Sequence, residues 1–298
     1  MDHSRYEIAF LGIVLLCANL GLGPDAIFAV FALIQIGCVY YVFKDDRNIL
    51  PYIGLTLIAG GSFFFWMNAV RQITAFTLFL PASVLLYRKK YLPAFLFAFS
   101  ACLMHKSAVM FCPFLILLPI FQKGIPTVKL QVVLFLASIL LSNLQIWNYF
   151  SDTIASILAF MGDFGERYSS ENIFDVNSDL DFGLRAAIII LLDFMSIVFS
   201  RKISKVNHPV FNYFYNIFFI GVVAAHLFSD NHYLTRFTMY FSSMSFIVYS
   251  YLLSYLSRYS NGYHRIIKAV LVLLLMLYLL RTIQADDGTA SILYQFSI

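Results

Sequence analysis

The sequence predicts an all-α fold, a polytopic transmembrane helix bundle of about 10–11 hydrophobic segments. Three observations carry that expectation. Hydrophobic residues make up 61% of the 298, charged residues only 12%, and the mean hydropathy is +0.80, a balance that excludes soluble folds. Apolar stretches recur along the chain, separated by short polar turns. The basic residues gather in alternate turns, the pattern that orients a multi-pass protein.

The stretches fall near 8–22, 25–43, 50–66, 69–87, 91–105, 108–121, 128–147, 183–200, 209–228, 235–257 and 263–281. Several are shorter than the roughly 20 residues a straight span prefers. Lys44…Arg47, Arg88-Lys89-Lys90, Lys123…Lys129, Arg201-Lys202…Lys205 and Arg258…Arg265…Lys268 mark one set of turns. The intervening turns lack such clusters, so the positive-inside rule puts the basic set in the cytoplasm and the others outside. The first stretch is the weak one, short and broken by Asn19 and Gly21-Leu22-Gly23-Pro24. If it crosses, Glu7 is inside; if it is re-entrant or interfacial, Glu7 is outside.

The segment 148–182 is outside on this scheme and holds seven of the sixteen acids. Loops this long are functional or disordered. Ile154, Ile157, Leu158 and Met161 follow helical spacing, so its first part reads as an amphipathic interfacial helix, and the whole as a partly ordered lid. With no internal repeat or soluble domain visible, residues 1–298 form a single integral membrane domain on this reading. The net charge of +4 belongs to loop topology, and no nucleic-acid partner is implied. Cys17, Cys38, Cys102 and Cys112 lie in apolar runs without metal-ligand spacing and read as packed thiols. The start of the chain is no cleavable signal peptide. The absence of a P-loop disfavours an ATP-driven pump.

The polar residues inside apolar runs are the candidates for chemistry. Arg71 is embedded between Phe63-Phe64-Phe65-Trp66 and Phe76-Thr77-Leu78-Phe79-Leu80, an expensive place for a cation unless it faces water or a partner. From Arg71 to Arg88 is roughly 26 Å of helix, about one bilayer core. The next run travels back, so His105 returns to the Arg71 face. Arg71 suits a diphosphate through its planar fork, or pairs structurally. Asn68 and Gln72 share a helix face and suit sugar hydroxyls. His105 is a candidate base or a satisfied structural histidine. Ser107 most simply caps the following helix. Arg236 and Tyr240, four apart, form either a second cationic contact or an interfacial anchor. Asp193 lies mid-span and needs a partner or a proton. Asp179-Leu180-Asp181 matches a sugar-nucleotide metal motif, but such matches are common by chance, and no metal site is expected.

Asn68-x-x-Arg71-Gln72-x-x-Ala75 followed by His105-x-Ser107-Ala108 resembles the signature of the EpsG-type family, Wzy-like polymerases of exopolysaccharide, capsule and O-antigen repeat units. Tyr6-Glu7-Ile8-Ala9-Phe10 resembles that family's upstream Glu-Pro-Gly-Phe-like element, with Ile-Ala in place of Pro-Gly. Thr235-Arg236-x-x-x-Tyr240-Phe241 resembles its late Arg-x-x-x-Tyr-Phe element. Relatives usually carry one or two hydrophobic segments before the Glu element, so the resemblance implies either a chain shortened at its N-terminus or a misplaced start.

The resemblance implies a metal-independent glycosyltransferase of the bacterial inner membrane, without cofactor, acting on the outer side. Its substrates would be undecaprenyl-diphosphate-linked oligosaccharides, and its partners the lipid bilayer, a flippase and a chain-length regulator. Arg71 and Arg236 would hold diphosphate, and His105 or Glu7 would accept the hydroxyl proton. Asn68, Gln72, Arg167, Tyr168 and Tyr240 would line the sugar path. A lipid-linked oligosaccharide flippase and a membrane acyltransferase are the alternative readings; a flippase would be expected to show paired hydrophobic halves, which are not visible.

Overall fold

The computed structural model describes residues 7–63, 66, 69–143, 183–207, 209–227, 238, 240–259 and 261–284. The proposed lid at 148–182, with Arg167, Tyr168, Asp179 and Asp181, lies outside the described residues, as do Asn68 and Arg236.

The described residues are helical throughout and show no strand, so the all-α bundle expected from composition is the fold. Each of the apolar stretches contains a helix: α1 (Ile8–Asn19), α2 (Pro24–Phe43), α3 (Leu50–Ala59), α4 (Val70–Tyr87), α5 (Tyr91–Met104), α6 (Cys112–Phe121), α7 (Val128–Asn143), α8 (Leu184–Val206), α9 (Pro209–Leu227), α10 (Ser245–Arg258) and α11 (Gly262–Gln284). By length and composition α2, α4, α9 and α11 are able to cross a membrane, and several others are shorter apolar helices. Leu33 and Ile36 on α2, Phe95 and Phe99 on α5, and Ile266 and Leu273 on α11 face outward from the bundle. Exposed apolar faces of this kind need lipid for a solvent.

Helix α4 is the centre of the bundle. Every residue from Ile73 to Leu85 is buried, as expected of a helix apolar on all sides. It packs chiefly on α5 and α2. The chain leaves α4 through Arg88-Lys89-Lys90, where the Lys89 and Lys90 amides return to the Leu86 and Leu85 carbonyls (2.9 and 2.8 Å). Lys89 adopts the left-handed φ of 60° that glycine takes most easily.

The basic turns gather at one end of the bundle. Arg88 reaches Asp45 after α2 (3.4 Å), Tyr52 of α3 donates to Ser257 of α10 (2.7 Å), and Arg201 of α8 donates to the Pro126 carbonyl (3.3 Å). Asn216 of α9 holds the Phe121 and Gly124 carbonyls, both at 2.9 Å. The grouping expected from charge alternation is therefore a feature of the fold. Between the two ends, short side-chain hydrogen bonds tie helices together, such as Thr56 with Ser250 (2.6 Å) and Ser83 with Tyr213 (3.2 Å). In hydrocarbon these groups have no water to turn to.

Three boundaries differ from expectation. Helix α3 stops at Ala59 rather than continuing to 66, because Gly60 and Gly61 turn the chain, Gly61 at φ 73°. The stretch from 108 to 121 is a 3-10 turn over Lys106–Phe111 joined to α6. Ser243 and Met244 interrupt the stretch expected over 235–257, and α10 begins at Ser245.

Candidate functional site

The end opposite the basic turns gathers the starts of α1 and α4 and the end of α5. Arg71 is in the first turn of α4, which has no side-chain cap, so the positive end of the helix dipole adds to its charge. His105 ends α5 in an extended conformation (φ −155°, ψ 124°) before the 3-10 turn begins. Glu7 immediately precedes α1.

These three side chains meet. Arg71 Nη1 donates to Glu7 Oε2 at 2.8 Å, and His105 Nδ1 lies 2.8 Å from Glu7 Oε1. The two carboxylate oxygens thus bridge a guanidinium and an imidazole. Phe10, one turn after Glu7, places its ring 5.4 Å from the Arg71 guanidinium carbon. The Glu-Ile-Ala-Phe run therefore acts as a unit, its acid pairing the arginine and its aromatic ring flanking it. Glu7 and Arg71 therefore lie at the same end of the bundle. Helix α1 folds back on α2, with Phe10 stacked on Phe31 at 5.2 Å.

Glu7 is the most enclosed of the three at 10% side-chain exposure, while Arg71 keeps 36%. Burial alone would push the Glu7 carboxyl up. The His105 hydrogen bond, a backbone amide and the charges of His105 and Arg71 outweigh burial and hold it down at about 2. Glu7 is accordingly a permanent anion and a poor proton acceptor. In the neutral ring Nδ1–H donates to that anion, so Nε2 carries the basic lone pair.

Gln35 of α2 braces the turn of α4 that carries Arg71, and the sequence offers little to single it out. Its Nε2 donates to Thr74 Oγ1 (2.9 Å) and to the Val70 carbonyl (3.4 Å), while Thr74 itself donates to Val70 O (2.7 Å). Gln35 lies near the middle of α2, so Arg71 sits beside the middle of that helix rather than level with its end.

Ser107 does not cap the following helix, contrary to the simplest sequence reading. It is buried within the 3-10 turn and shares a 2.6 Å hydrogen bond with Tyr240, while neither that turn nor α6 has a side-chain cap. Tyr240 is 1% exposed and packs edge-on to Phe111 at 4.8 Å, a place inside the bundle rather than at an interface. The His-x-Ser-Ala and Tyr-Phe elements are thereby joined: Tyr240 anchors the turn that presents His105. Gln72 is half-buried in the same turn of α4 as Arg71. Asp193 is satisfied by Tyr249, which donates at 2.6 Å. No cluster of three metal-ligating side chains occurs among the described residues, and the four cysteines are free thiols.

A family model, that of the EpsG family, matches residues 1–296. No curated protein and no solved structure matches the chain.

Proposed function

This chain belongs to the EpsG family, a family of polysaccharide-polymerase type, and we propose that it joins undecaprenyl-diphosphate-linked oligosaccharide repeat units at the outer face of the bacterial inner membrane. The observation that carries the proposal is the Glu7–Arg71–His105 cluster: a fixed anion orienting an imidazole, with a guanidinium beside both. In the reaction, the acceptor hydroxyl oxygen bonds to the anomeric carbon of the donor as the bond to undecaprenyl diphosphate breaks. The leaving diphosphate takes the electron pair, and the hydroxyl proton passes to His105 Nε2. Glu7 then faces an imidazolium and stabilises it, as a carboxylate partner does in other base-orienter pairs. Arg71, at the positive end of α4, contacts the diphosphate and offsets the charge that develops there.

Such a leaving group is already stable, so the chemistry requires cations and a base rather than a metal. Tyr240 is assigned to positioning, through Ser107. Arg236, Asn68, Gln72, Arg167 and Tyr168 keep the diphosphate and sugar-path roles that the resemblance implies. The charge alternation supports the orientation, with the basic end in the cytoplasm. Purified protein incubated with lipid-linked repeat units alone tests the reading: glycans of several repeats on lipid are expected. Unchanged lipid would refute it.

A further inference from the structure

A second candidate site, a largely apolar cavity with a few polar groups in its wall, lies at the same end of the bundle. A cavity of about 280 Å³ opens between the end of α3, the outer halves of α8 and α9, the start of α10, and α11. Asp193, His226, Ser243, Tyr249 and Tyr278 contribute polar groups to its wall, and Gly61 lets the ring of Tyr278 lie against the chain where a side chain would collide with it. His226 Nε2 is buried with no hydrogen-bond partner, a cost that structures rarely leave standing. Asp193 has one oxygen taken by Tyr249 and belongs to the same wall. No lysine or arginine is among the described residues that line the cavity, and Arg185 lies over the ring of Tyr278 at 5.9 Å. Hydroxyl and carboxylate groups beside aromatic rings match the alternating hydroxyl and C–H faces of a sugar. Tyr240 and Ser243 lie three residues apart, so the segment that anchors the His105 turn at one end forms the cavity wall at the other.

We propose that this cavity binds an uncharged, hydroxyl-rich glycosyl residue of the polysaccharide, with His226 and Asp193 hydrogen-bonding its hydroxyls. The source of that sugar rests on the polymerase reading. The cavity holds glycan, and the Glu7–Arg71–His105 cluster holds the reacting diphosphate end.

The test uses the full chain in nanodiscs. The probe is the free oligosaccharide repeat released by mild acid from the lipid diphosphate of the producing cell, and binding is followed by saturation-transfer NMR. Wild type should bind it. Ala225→Phe, which fills the cavity, and His226→Leu should each weaken binding about tenfold or more. His226→Gln, which keeps a donor and acceptor, should restore most of it, and thermal melts confirm that each variant is folded. Binding that is absent in wild type or indifferent to all three changes overturns the proposal. So does displacement by undecaprenyl phosphate bearing no sugar, which would mark a lipid pocket. Ladder synthesis is scored on the same wild-type preparation. Cavity-dependent sugar binding without ladders leaves this site standing and removes the polymerase reading, and ladders with cavity-independent binding do the reverse.

Discussion

Glu7 and His105, 98 residues apart in sequence, meet at 2.8 Å, and the same carboxylate holds Arg71 at 2.8 Å through its other oxygen. One anion therefore fixes both the group assigned to the proton and the group assigned to the phosphate. Replacing Glu7 by Gln keeps the shape and removes the charge. Polymerisation should fall on the order of 100-fold or more, because the imidazolium formed in the reaction loses its partner. Glu7→Asp, shorter but charged, should retain more activity than Glu7→Gln. Equal ladders from wild type and Glu7→Gln, at equal protein in the membrane, would remove Glu7 from the mechanism.

The Glu7 carboxyl also makes a prediction about pH. Its value in the fold, about 2, lies below the ordinary 4.5, so ionised Glu7 favours the folded state. That contribution is complete above about pH 4.5 and is lost as pH falls towards 2. Thermal melts of wild type should decline over this window more than those of Glu7→Gln, whose side chain does not titrate. An identical acid decline in both proteins would contradict the pairing. Any titration of activity between pH 5 and 8 must then belong to a group other than Glu7.

Arg71 separates a structural from a chemical role. A lysine can pair with Glu7 but cannot present a planar fork. If the contact with diphosphate matters, Arg71→Lys should fail nearly as badly as Arg71→Ala. The expected loss is about 2–4 kcal/mol of transition-state stabilisation, roughly 30- to 1000-fold in rate. Glycan ladder length and the amount of membrane-inserted protein are measured in the same cells. Full ladders with Arg71→Lys would reduce Arg71 to an ion-pair partner of Glu7.

Tyr240→Phe strands the buried Ser107 hydroxyl, which should lower stability by about 1–3 kcal/mol and loosen the turn that presents His105. The double change with Ser107→Ala removes both partners and should cost less than the sum of the single changes. Melting temperatures of the four proteins in one detergent check this. Strict additivity would mean that the hydrogen bond does not couple the two elements.

The orientation is open to labelling. On a background without the four native cysteines, a cysteine at position 89 should be shielded from an impermeant reagent in intact cells, and one at 106 should react. Labelling at 89 with none at 106 would invert the topology.

Much of this architecture is legible in the sequence because its causes are local. Apolar runs and basic turns foretell the described helices and the common end of Lys89 and Arg201, and run length returns His105 to the side of Arg71. Gln35 is different: a single amide in the apolar run 25–43 looks like any tolerated polar residue, and its value lies in Thr74, 39 residues away. Ser107 sits where helix-capping serines usually sit, and only the fold brings Tyr240 to it across 133 residues. The cavity around His226 is equally invisible along the chain, since four helices and a glycine turn contribute its wall.

The order in which Glu7, Arg71 and His105 leave the ribosome has a consequence for biogenesis. Glu7 emerges 64 residues before Arg71 and 98 before His105, yet both of these partners are needed to neutralise and enclose it. A carboxylate entering hydrocarbon without its cation is costly. Helix α1 is therefore expected to wait at the membrane surface while α2 to α5 pass through the translocon, and to dock against Phe31 only once Arg71 and His105 are in place. Helix α1, made before α4, thus takes its final position after it. A photo-crosslinker at position 13 should capture lipid headgroups in chains stalled before residue 71 and lose them in chains stalled well past 105. Headgroup capture that is absent from the shorter chains would mean that α1 buries Glu7 without its partners.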